Sequence, residues 1–254
     1  GDTFFPLGIG VSLLFGAHTM KQVLERVFPI YAQVIAGSIG VKVQIGGQVA
    51  SCGVDSNNPL NRLVNLPALP LDDPDIAKAA WGYLYHEGFH AKYSDMNVVM
   101  HCAGKPIRAY LLNVIEDIWN EHHMPNEFLA SKPYIDAMNL YILEQGWYKT
   151  PADDAHPAKV LSAYILFWGL GYHNNTPALQ PLADEAEKKL AEILSPAGMT
   201  KLNALLSVEV PKIKCTADSL AIADRVITLL EKEQEDQKNQ QPSNEDPQDD
   251  ADAD

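Results

Sequence analysis

Basic residues are scarce in this chain. Its 254 residues carry 19 Lys and Arg against 33 Asp and Glu, a net charge of −14. Binding a phosphate backbone needs the opposite balance, which argues against a nucleic-acid partner. Cysteine is also rare. Cys52, Cys102 and Cys215 are widely spaced, odd in number and in no C-x-x-C pair. That argues against a disulfide framework and for a reducing, cytoplasmic setting. No apolar run approaches the roughly 18–20 residues of a membrane span, so no membrane partner is expected. The apolar opening "FFPLGIGVSLLFG" lacks the basic start of a signal peptide.

What is present is enough apolar material for a sizeable core, 46% of the chain, and an uneven distribution of charge. The last 24 residues, "EKEQEDQKNQQPSNEDPQDDADAD", hold ten acids and two lysines. Such a segment cannot bury enough surface to offset the entropy of ordering. The expected organisation is one domain over 1–235 and a disordered acidic tail or linker over 236–254.

Residues 18–36 place Val23, Leu24, Val27, Ile30, Tyr31 and Val34 at helical spacing, with Gly37 and Gly40 to close the helix. "VKVQIGG" (41–47) alternates as a half-buried strand does. "SCGVDSNNPLNR" (51–62) reads as a loop of turn formers. "LVNLPALP" (63–70) reads as extended and as an edge strand, because prolines remove ladder donors. Asp72 or Asp73, followed by Pro74, starts a helix running to about Ser94. Further helices are expected at about 107–123, 132–146, 157–170, 178–194 and 216–235. The fold class is α+β, predominantly helical, with a small N-terminal sheet.

The stretch "YLYHEGFHAKYSD" (83–95) contains His86, Glu87 and His90 as H-E-x-x-H. At about 100° per residue the two histidines share a helix face one turn apart, a spacing at which both rings can bind one tetrahedral ion. Glu87 projects to the side, within reach of a water on that ion. A zinc site of this kind needs a third protein ligand and an open position. A metzincin would take a glycine and a histidine seven and ten residues after His86, but those positions hold Tyr93 and Met96. An acid from the next helix is the remaining option. "LLNVIEDIWNEHH" (111–123) offers Asn113, Glu116, Asp117, Asn120 and Glu121. Glu116 is the first choice as ligand, with Asp117 as its outer hydrogen-bonding partner, and the reverse assignment stays open.

"NLPALP", "AWGYLYHEGFHAKYSD" and "LLNVIEDIWNE" together resemble the N-terminal region of CobT-like proteins, the cobaltochelatase-subunit relatives of bacteria and phages. The resemblance covers roughly residues 60–125. It implies a zincin-like domain, a metal on His86 and His90, a general base at Glu87 and an acidic ligand within Glu116 and Asp117. It also implies a MoxR-type AAA+ ATPase partner and an acidic linker leading to a von Willebrand A domain. The D-x-S-x-S motif of that last domain does not occur in this chain, which reads as the N-terminal piece cut in its linker.

The expected activity is therefore that of a zinc metallopeptidase, gluzincin-like, acting on a protein or peptide substrate. Zn2+ would acidify a water and Glu87 would take its proton. The strand at 63–70 would hold the substrate by added pairing. Tyr93, Tyr110, His122, His123, Tyr148, Tyr172 and His173 are the candidates for stabilising an oxyanion. The alternative is a non-catalytic, metal-stabilised assembly module serving the ATPase. His101 with Cys102 as extra ligands, and "GLGYHNN" (169–175) as a border of the cleft, are minor candidates.

Overall fold

The computed structural model describes residues 19–240, with the side chains of 237–240 left aside. The apolar opening segment, and the acidic tail beyond Gln240, lie outside the described residues. The described chain is mostly helical with one three-stranded sheet.

Helix α1 (Met20–Ala36) starts in a capping box between Thr19 and Gln22 and ends at Gly37, which is left-handed (φ 63°). Strands β1 (Val41–Gly47), β2 (Ser51–Asp55) and β3 (Asn58–Pro67) follow. Their order is β1-β3-β2, with β1 parallel and β2 antiparallel to β3.

Two expectations are corrected here. The stretch 51–62 is not a loop: it forms β2, a two-residue turn and the start of β3. Its turn formers are concentrated where Asp55 accepts a hydrogen bond from Asn57 N at 2.9 Å, while Cys52 and Val54 pair with Val64 and Arg62. The strand at 63–70 is not an edge either. β3 is the central strand, and its prolines are tolerated because Pro59 precedes the pairing with β1 and Pro67 is the last paired residue.

Helix α2 (Pro74–Tyr93) has Pro74 at its first position and Asp73 as its N-cap, accepting from Asp75 N (2.9 Å) and Ile76 N (3.3 Å). It is buried on nearly every face, against α1, β2, β3 and two later helices, α4 (Pro106–Glu127) and α5 (Lys132–Glu144). Two glycines permit this. A Cβ on Gly82 would lie 2.3 Å from the Tyr134 carbonyl oxygen, and one on Gly88 would lie 2.7 Å from Ile35 Cγ2. Between α2 and α4 lies the short helix α3 (Met96–Met100).

The remaining helices are α6 (Pro157–Trp168), α7 (Gln180–Ala191), α8 (Pro196–Glu209) and α9 (Thr216–Gln240). The segment "GLGYHNN" does not stop α6 but continues it as a π-helical turn, Gly169–His173. Helix α8 was not expected from the sequence. α9 runs to Gln240.

Apolar side chains gather into two main clusters. One joins α1, the sheet, α2 and α5 through residues such as Phe28, Val64, Leu84 and Met138. The other joins α4, α6, α7, α8 and α9 through Ile115, Ile118, Ile165 and Leu202. Helix α4 contributes to both, with Met124 in the first and Leu111 in the second. α2 and α4 therefore meet at the seam between the clusters, and the polar residues of both helices face each other there.

Candidate metal centre

One donor atom each from His86, His90 and Asp117 lies within 4.8 Å of the others. Asp117 Oδ1 is 2.9 Å from His90 Nε2 and 3.6 Å from His86 Nε2. Ligands on a tetrahedral zinc at about 2.0–2.1 Å are separated by about 3.3 Å, so these separations bracket what the ion requires. The other oxygen of Asp117 accepts from Asn113 Nδ2 at 2.9 Å, which turns Oδ1 towards the histidines.

Glu116, the first choice as third ligand, also borders the cleft but is engaged elsewhere. Its Oε1 accepts from the Thr216 hydroxyl at 2.6 Å, at the start of α9. Its Oε2 is 3.8 Å from Nδ1 of His90, the ring nitrogen turned away from Asp117. In this geometry Asp117 is the acid beside the two histidines and Glu116 lies behind His90, the arrangement of the second of the two assignments the sequence leaves open. The reason is rotational. Adjacent helical residues point about 100° apart, and α4 is rolled so that Leu111, Ile115 and Ile118 enter the second core cluster.

Each histidine is held from behind. His86 Nδ1 is 3.1 Å from Glu121 Oε1, and Glu121 Oε2 accepts from Asn139 Nδ2 at 3.0 Å. Asn139 Oδ1 in turn accepts from the Tyr148 hydroxyl at 3.3 Å. His90 Nδ1 is 2.9 Å from Ser94 Oγ and 3.2 Å from Asn120 Nδ2. Such partners fix the tautomer and ring orientation of ligand histidines. The backing role of Glu121 was not assigned from the sequence. Its signal is the position four residues after Asp117, one turn along the same face.

The donor set fits a cation. Burial opposes charge on His86, yet the Glu121 hydrogen bond and the nearby Asp117 push it up to about 10. Burial likewise opposes charge on His90, but the Asp117 hydrogen bond together with the charges of Asp117 and Glu87 raises its pKa. Surroundings that raise the pKa of two buried imidazoles favour positive charge there, and so favour a metal ion as well. A second sign is Asn120 Oδ1, which is buried without a partner. The orientation of an amide is an assignment. Turned over, Asn120 presents that oxygen to a protonated Nδ1 of His90, leaving Nε2 as a free ligand.

Glu87 is 5% exposed and lines the cleft beside His86 and His90. Burial raises its pKa, partly countered by the two histidines. The cleft has a volume of about 760 Å3. Its lining includes residues 48–52, a lip at the start of edge strand β2, and Tyr83, Met138, Ile142, Trp147 and Tyr148. The lip residues are not expected as cleft residues from the sequence, because only the packing of the sheet against α2 brings them there; Tyr83, one turn before His86 on α2, is readable from helix spacing.

Of the oxyanion candidates, Tyr148 lines the cleft. Tyr110 lies on α4 two turns before Asp117, and that carboxylate adds to burial in raising its pKa. Tyr93 packs edge-on against Trp119 and His123, His122 stacks on His173 at 4.3 Å, and Tyr172 donates to Asp184. Cys102 is buried beside Leu112 and Leu220, and neither it nor His101 joins the metal group. Residues 169–175 do not line the cleft.

Comparisons with protein-family models, with curated proteins and with solved structures returned no match to this chain.

Proposed function

We propose that the chain is a zinc-dependent metallopeptidase with a zincin-like domain, in which the third ligand is an acid from the helix after H-E-x-x-H. The observation that carries this reading is the meeting of His86 Nε2, His90 Nε2 and Asp117 Oδ1 beside a buried Glu87 in an open cleft. The resemblance to CobT-like proteins points the same way.

His86, His90 and Asp117 would hold the ion. When bound, zinc supplies Lewis-acid polarisation of a carbonyl and acidifies a water. Glu87 takes the proton of the attacking water and delivers it to the leaving nitrogen. Glu121 and Ser94 keep the imidazoles oriented. Among the described residues, β2 pairs with a strand on one side only, so an extended substrate can add to its outer edge through main-chain hydrogen bonds. This replaces β3 as the substrate-holding strand.

The test is digestion of casein by the zinc-loaded protein beside Glu87→Gln. The variant is expected to retain one zinc per chain and to lose cleavage at least 100-fold. If both proteins hold zinc and neither cleaves, the site is structural. The chain is then a metal-stabilised assembly module, the role that an AAA+ partnership of the resembled family would call for.

A further inference from the structure

The cleft lining combines apolar and acidic residues, and the combination bears on which peptides can enter. This inference rests on the peptidase reading. The C-terminal end of α5 turns back on itself. Gly146 adopts a left-handed conformation (φ 70°), and the N–H groups of Trp147 and Tyr148 both point to the Ile142 carbonyl, at 3.1 and 3.4 Å. The turn places Trp147 and Tyr148 in the lining of the cleft, which also includes Met138 and Ile142 of α5 and Tyr83 of α2. Trp147 meets Tyr141 edge-on at 6.0 Å and remains 55% exposed. A half-exposed Trp beside the part-buried Ile142 in the cleft lining has apolar surface left to cover, and covering it is favourable.

Charge supplies the second constraint. The described residues lining the cleft include Glu87, Glu116 and Asp117, and no Lys or Arg. A carboxypeptidase needs a cation to hold the terminal carboxylate, and an enzyme for acidic sequences needs one for side-chain carboxylates. Neither is provided. With Glu121 behind His86, the carboxylates outnumber the two charges a zinc ion would bring.

We propose that the cleft selects internal segments of extended polypeptide with a large apolar side chain seated against Ile142 and Trp147, and that it rejects acidic residues and free C-termini. The acidic C-terminal stretch of the chain itself is then a poor occupant of its own cleft.

The experiment is fluorescence anisotropy with the zinc-loaded Glu87→Gln protein, which separates binding from cleavage. The probes are ten-residue labelled peptides: one capped at both ends with a central Phe, one capped with a central Asp, and one ending in Phe with a free carboxylate. The capped Phe peptide is expected to bind at least ten-fold more tightly than either of the others. Adding Trp147→Ala should weaken that peptide at least five-fold at unchanged zinc content, and Trp147→Phe should restore it. Equal affinities, tighter binding of the Asp or free-carboxylate peptide, no binding of any peptide, or indifference to Trp147→Ala overturns the proposal. Casein cleavage that depends on Glu87 without apolar preference overturns this inference alone. Apolar-selective binding without any Glu87-dependent cleavage overturns the peptidase reading alone.

Discussion

Thr216 Oγ1 donates to Glu116 Oε1 at 2.6 Å across 100 residues of sequence. The same hydroxyl accepts from Asp95 N at 2.9 Å. One buried threonine thus ties the start of α9 to α4 and to the segment just after α2. Thr216→Val keeps the shape and removes the donor, leaving a buried carboxylate short of a partner. The expected loss of stability is about 1–3 kcal/mol, read by chemical denaturation, with Thr216→Ser recovering most of it.

The placement of the two acids gives a second prediction. Asp117→Ala should reduce zinc affinity by more than the roughly 10- to 100-fold typical of losing an outer hydrogen-bonding partner. Glu121→Gln and Glu116→Gln should fall within that smaller range. Competition titration against a chromophoric chelator measures all three. A larger effect for Glu116→Gln than for Asp117→Ala would return the ligand role to Glu116.

Gly82 marks the tightest approach of α2 to α5. In Gly82→Ala the new Cβ would meet the Tyr134 carbonyl oxygen at 2.3 Å and Met138 Cβ at 2.5 Å, and neither backbone nor a Cβ can swing aside. The helices must part, at a cost of about 1–3 kcal/mol or more. Gly53→Ala, whose Cβ would meet nothing within 4 Å, serves as the control and should change the unfolding midpoint little.

The Arg108 guanidinium forms two bonds with Asp224, at 2.6 and 2.7 Å. Its hydrogen bonds hold the Asp224 carboxyl below its ordinary 3.8. A depressed folded-state value means that the pair stabilises the folded chain above pH 3.8, and that the contribution is lost as pH falls through the lowered value. Asp224→Asn should therefore unfold more easily than wild type at pH 7, and the gap should close below pH 3.8. The difference is modest, because both partners reach solvent. Denaturant midpoints at both pH values test it.

The parts of this structure legible in the sequence are those set by local chemistry. Asp73 and Pro74 announce the start of α2, Gly37 the end of α1, and the alternation of 41–47 the first strand. The hairpin of β2 and β3 was obscured because Ser56 and Asn57 at its turn coloured the whole stretch as loop. Helix α8 was missed for another reason. Pro196 and Gly198 at its start resemble a turn, although Ser195 caps the helix and Glu233 packs against Gly198. The choice between Glu116 and Asp117 depends on the roll of α4, which α6 and α9 determine from far along the chain. The cleft wall is only partly legible: Tyr83 sits three residues before His86 on α2 and shares its side of the helix, whereas Trp147 joins the lining only once α5 packs on α2.

Enclosure of α2 by neighbours on nearly every face has a kinetic consequence. A helix so surrounded has no local opening motion of its own, so the amide protons of its central turns, around Gly82 to His90, should exchange with deuterium only on the timescale of whole-chain unfolding. The donor atoms of His86 and His90 on that same helix face the cleft, open to small solutes. A chelator should therefore strip the ion in a fraction of the time those amides take to exchange, and the two rates, measured side by side, would separate the lifetime of the metal from the lifetime of the fold.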